Sequence, residues 1–177
     1  MKIIIETSIK NLYKSTVNAF PNTSKRQNVI DSIVIEQLQW IPFKGVKTLF
    51  IKGLARSESK KYECIMLFKN INYKEKEGKK IIKIKTSSGF DQFVEQVDPD
   101  KNDVLVRCNC SDFYWRGNYA NHLDKSLFGR KRAKYESKGF PPVNPSESPM
   151  ICKHLIKLTK VLKEANFLLD QPFKNKI

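Results

Sequence analysis

Three of the four cysteines and one of the two histidines in this chain fall into two short boxes, Cys108-Asn109-Cys110 and Cys152-Lys153-His154. Borderline-soft donors gathered in this way favour a metal over a disulfide. A bridge between Cys108 and Cys110 would close a very small, strained ring. If one ion takes all four donors, the fold must return the second box to the first across the 41 residues between Cys110 and Cys152. The alternative is that Cys108 and Cys110 straddle a strand, Cys152 packs in a helix and His154 lies on the surface. His122 is a weaker candidate for the fourth position, and Cys64, inside the run KYECIMLF, reads as a small core residue.

The segments around the boxes indicate how they are presented. Val104-Leu105-Val106 reads as a strand running into the first box, and a helix is expected from Cys152 to about Leu169, with Leu155, Leu158, Leu162, Ala165 and Leu169 on one face. A Cys-Xaa-Cys pair at a strand end and a Cys-Xaa-His pair at a helix start can fill four tetrahedral corners. Four protein ligands close the shell, whereas a catalytic zinc keeps a position open for water. Ligand deprotonation accompanies binding, so affinity should fall at low pH.

Upstream, VIDSIVIEQLQWIP, VKTLFIKGLARS and KYECIMLFKNI read as three strands joined by short turns, an antiparallel meander. Ile82 and Ile84 alternate with lysines as in an edge strand. Gly53 marks a bulge or a close backbone approach. Phe90 to Val97 reads as a short helix or irregular turn, and Met1 to Phe20 fits either a strand or a short helix. The fold class expected is α+β: residues 1–103 mainly antiparallel β, residues 104–170 a zinc module with a basic, proline-rich insertion at 116–150, and a tail at 171–177. Phe113, Tyr114 and Trp115 are expected to wall the metal site.

The boxes CNC and CKH, with the aromatic run DFYW after the first and an amphipathic helix after the second, resemble the SWIM-type zinc finger. The resemblance covers about Val104 to Lys163 and implies one structural zinc ion on Cys108, Cys110, Cys152 and His154, in a module that contacts nucleic acid or protein. The gap between the boxes is longer than is usual in that family. The CSDFYWR and ICKHL boxes, with KRQ ahead of a strand ending in tryptophan, are also similar to uncharacterised proteins of large double-stranded DNA bacteriophages. That likeness implies a protein of the host cytoplasm that is incorporated into the virion, with phage structural proteins among its partners.

Lysine and arginine number 33 against 18 acids, a formal charge of +15, which favours polyanions. A Lys-, Ile- and Asn-rich composition also follows from an AT-rich genome. The candidate nucleic-acid contacts are Arg116, Lys125, Arg130, Lys131, Arg132, Lys134 and Lys138 in the insertion, and Lys153, Lys157 and Lys160 on the last helix. Tyr119, Phe128, Tyr135 and Phe140 interleave with the first set and offer stacking faces; the blander reading is a solvated loop. The chain has no run of about 18 apolar residues and no cleavable leader pattern, nor a phosphate-cradling glycine loop or a His-Glu protease signature. A soluble, non-enzymatic protein with no small-molecule substrate and no membrane contact is expected, either a virion component or an intracellular DNA- or RNA-binding accessory protein.

Overall fold

The structure is a computed structural model and describes residues 7–22, 30–136, 139 and 141–170. The β-branched opening at 1–6, Lys25-Arg26-Gln27, Lys138, Phe140 and the 171–177 tail lie outside the described residues. The architecture is α+β, with antiparallel sheets and a C-terminal helix.

Strands β1 (Val34–Phe43), β2 (Thr48–Ser57), β3 (Lys60–Phe68) and β7 (Val104–Cys108) form one sheet in the order β1-β2-β3-β7. The remaining strands, β4 (Tyr73–Lys74), β5 (Ile81–Lys85) and β6 (Asp91–Glu95), form a second sheet in the order β4-β6-β5. The meander of three strands is present, and β5 is the lysine-bearing edge. Asp91 to Glu95 is a strand rather than a helix or turn. DQFVE carries too few apolar residues to show a period of two, and its identity comes from its partners, through the pairs Ile82↔Val94 and Ile84↔Gln92.

In β2 the alternation is strict once counted from Leu49: Leu49, Ile51, Gly53, Ala55 and Ser57 are buried, and the residues between them face outward. Counted from Val46 the sequence alternates imperfectly, because Val46 belongs to a preceding 3₁₀ turn, Lys44–Val46, and is exposed. The bulge lies in β1, between Ile35 and Gln37, and not at Gly53. Gly53 is instead a close approach, since a Cβ there would sit 3.0 Å from Leu158 Cδ1.

That leucine belongs to helix α3 (Lys153–Glu164), which lays Leu155, Leu158 and Leu162 on the buried sheet face. Gly53→Val should cost about 1–3 kcal/mol through overpacking at this seam, read as a lower urea midpoint. An unchanged midpoint would show that the helix does not seat on Gly53.

Helix α3 stops a turn earlier than the leucine spacing suggests. Asn166 takes the left-handed conformation at φ 56°, and the Phe167 N–H donates to the Leu162 carbonyl at 3.0 Å. Phe167 is then fully buried against Trp40 and Phe68. Leu168 pairs with Val97 beside the second sheet. Helix α1 (Ile9–Ala19), capped by Ser8, adds Ile9 and Leu12 to the core. Helix α2 (Asn118–Leu123) follows a π-helical turn at Phe113–Gly117.

Candidate metal centre

Each box takes its shape from the element that carries it. β7 ends at Cys108, and the extended backbone continued past it puts alternate side chains on one side, so Cys108 and Cys110 are both buried while Asn109 is exposed. The Asn109 side chain accepts from the Glu63 N–H at 2.9 Å, and its own N–H donates to the Glu63 carbonyl at 3.2 Å, extending the β3–β7 ladder one residue past Cys108. Helical structure begins immediately after Cys110, whose Sγ accepts from the Phe113 N–H at 3.4 Å. Cys152 is the N-cap of α3, in extended conformation, which places His154 in the first turn. Two helical N-terminal ends therefore face the cluster, an arrangement that favours thiolates.

The four ligand atoms of Cys108, Cys110, Cys152 and His154 all lie within 4.8 Å of one another, and all four residues are buried. His154 directs Nδ1 at Cys108 Sγ, 3.8 Å away, and at Cys152 Sγ, 3.9 Å away. Its ring stacks on Tyr62, with centroids 4.3 Å apart, and its Nε2 is buried without a hydrogen-bond partner among the described residues. His122, the alternative ligand, is exposed on α2. The cysteines are free thiols. The group is thus a buried Cys3His set that could hold a metal ion.

The electrostatics point the same way. Its hydrogen bond with Cys110 pushes the Cys108 thiol well up, and burial does the same to Cys152. Hydrogen bonding from Cys108 holds Cys110 far below the ordinary thiol range. Three thiols packed together without a cation cannot all ionise, and a divalent cation removes that conflict.

Cys64 is a core residue, fully buried, but it is also part of the surroundings of the site. It lies opposite Cys108 in the β3–β7 register, with the two Sγ atoms 3.7 Å apart. Nothing local in KYECIMLF signals this, because the contact depends on strand register.

The long gap is held by buried amides. Asn121 is fully buried; its side chain donates to the Met150 carbonyl at 3.0 Å and accepts from the Met150 N–H at 2.9 Å. Asn144 donates to the carbonyls of Arg116 and Ser148, both at 2.9 Å. Asn118 accepts from the Arg132 N–H at 2.8 Å. From α1, Thr16 Oγ1 accepts the Ile151 N–H at 2.9 Å, one residue before Cys152. Leu127 also bridges to Val106 on the open edge of β7. These contacts return the chain from Cys110 to Cys152 although the described residues of 124–152 contain no helix and only isolated bridging.

The aromatic run does not act as a unit. Phe113 is fully buried and packs against the centre, whereas Trp115 is 49% exposed. The π-helical turn at Phe113–Gly117 separates their faces. Among the predicted cations, Arg116 pairs with Asp112 at 3.3 Å and Lys134 pairs with Glu147. Arg132 lies with its guanidinium carbon 3.6 Å from the Tyr114 ring centre. Lys125, Arg130 and Lys131 are exposed. On α3, Lys153 reaches Ser57 at 3.4 Å, Lys157 is half-buried, and Lys160 pairs with Asp31 at 3.3 Å. Among the described residues, no helix is long and apolar enough to cross a membrane. No family model, curated protein or solved structure matches the chain.

Proposed function

We propose that this protein is a non-enzymatic binding module, stabilised by one structural zinc ion on Cys108, Cys110, Cys152 and His154, that presents a basic surface to nucleic acid. The observation that carries the reading is the closed, buried Cys3His set. Zinc–thiolate bonds of about 2.3 Å in a tetrahedron put ligand atoms about 3.8 Å apart. With the shorter Zn–N bond of about 2.0–2.1 Å a nitrogen–sulfur edge is about 3.5 Å, and His154 Nδ1 stands 3.8 and 3.9 Å from the Sγ atoms of Cys108 and Cys152, a few tenths of an ångström outside it. Bound there, the ion would tie the end of β7 to the start of α3 and contribute its binding energy to folding. With four protein ligands and deep burial, the set suits a structural role better than a hydrolytic one.

The nucleic-acid part of the reading is supported by the charge of +15 and by the exposed run Arg130-Lys131-Arg132 beside the metal module. Contacts of this type act on phosphates and carry no sequence preference. Replacing Arg130, Lys131 and Arg132 together by glutamine should weaken binding and reduce the magnitude of the slope of log K against log salt by about 2–3, at about 0.7–0.9 per phosphate contact. Equal affinities and slopes for parent and variant would remove the basic run from the interface. The resemblance to phage proteins extends the proposal: the module travels in the virion, its basic face turned to the genome or to acidic subunits. Mass spectrometry of purified particles is expected to find it there, and its absence from them would end the virion reading.

A further inference from the structure

Trp115 and Tyr135 together line two clefts of about 530 and 620 Å³ on the outer side of the metal module. Their rings meet edge to face with centroids 5.1 Å apart, and Tyr114 packs on Trp115 at 4.4 Å. Trp115 is 49% exposed and Tyr135 36%, a large aromatic surface left in water. Cations frame it: the Arg132 guanidinium lies over the Tyr114 ring, and Lys134 Nζ stands 5.9 Å from the Tyr119 ring centre. Arg130 and Lys131 continue the same exposed stretch, with no ion-pair partner among the described residues.

The support beneath this surface is closely packed. Trp115 is carried by the π-helical turn that starts three residues after Cys110. A Cβ at Gly117 would meet Phe113 at 3.0 Å and Met150 at 3.2 Å, so that turn is tightly packed from below. The loop bearing Tyr135 is fixed on one side of it by Asn118, bonded to the Arg132 N–H, and by the Lys134–Glu147 pair. Aromatic rings held in the open beside cations are what a flat, anionic ligand requires: the rings take a π-face, and the cations take phosphates. Duplex bases have their faces covered by their neighbours, while unpaired bases do not.

We propose that the Trp115–Tyr135 surface is a base-stacking site for single-stranded nucleic acid, with Arg130, Lys131 and Arg132 on the adjoining phosphates. The proposal rests on the nucleic-acid reading above and specifies its ligand and the residues that select it.

The test is fluorescence anisotropy with the full-length, metal-loaded protein, using a labelled twelve-residue oligothymidylate and a mixed-sequence duplex of the same length at one salt concentration. The parent should prefer the single strand. Trp115→Ala should weaken single-strand binding by about tenfold and leave duplex binding unchanged, while Trp115→Phe should retain most of the affinity. Tyr135→Ala, in an exposed loop where misfolding is not at issue, should give a smaller loss in the same direction. If both alanine variants bind the oligothymidylate as the parent does, the stacking site is overturned while the nucleic-acid reading stands. If the parent binds neither probe at low salt, both readings fall and the surface is left to a protein partner.

Discussion

Stripping the metal with a chelator should lower the melting temperature by about 8–16 °C, and adding back one equivalent of zinc should restore it. A ligand present at about a thousand times its dissociation constant stabilises the folded state by about 4 kcal/mol. At 177 residues each kcal/mol moves the midpoint by about 2–4 °C. The energy would enter through the topology: an ion on the four side chains would tie the end of β7 to the first turn of α3, and α3 covers Gly53 and the central strands. Without the ion, Cys108, Cys110 and Cys152 remain buried together and the conflict among their ionisation states returns. Differential scanning calorimetry of the stripped and reloaded protein reads the effect. Identical melting curves, with metal removal verified, would mean that the cluster packs as ordinary core.

Asn121→Ala should destabilise the protein by about 2–4 kcal/mol, the largest effect expected from any position outside the ligands and the apolar core. The side chain is fully buried and satisfies both the N–H and the carbonyl of Met150. Removing it leaves two buried backbone groups without partners two residues before Cys152. The urea midpoint should drop, and zinc affinity, measured by competition with a chromophoric chelator, should fall with it because the second box is no longer held in place. A midpoint lowered without any change in zinc affinity would separate the anchor from the metal site. Unchanged values for both would show that the loop is held by other contacts.

What could be read from the sequence follows the range of the forces involved. Cys108 and Cys110 lie on one side because strand geometry alone puts residues i and i+2 together, and His154 follows Cys152 because a helix starts there; both are local facts. Buried alternation in β2 was equally local once Val46 was assigned to the turn. Less accessible were the features fixed by partners distant in sequence. DQFVE becomes a strand only between β4 and β5, and Cys64 meets Cys108 only through the β3–β7 register.

Asn118, Asn121 and Asn144 look like any polar loop residues until their backbone partners are known. Their spacing gave no signal, since each bonds to a different part of the loop. Phe113, Tyr114 and Trp115 read in sequence as one aromatic run walling the metal site. The π-helical turn divides it, burying Phe113 and exposing Trp115.

The account depends first on the metal. Elemental analysis of the purified, chelator-washed protein, with Cys110→Ser measured alongside, tests it most directly. One zinc per chain in the parent and a large loss in the variant is the predicted result. A parent free of zinc after expression in zinc-supplemented medium would contradict the metal centre, and would leave Cys108, Cys110, Cys152 and His154 as a buried cluster of core side chains.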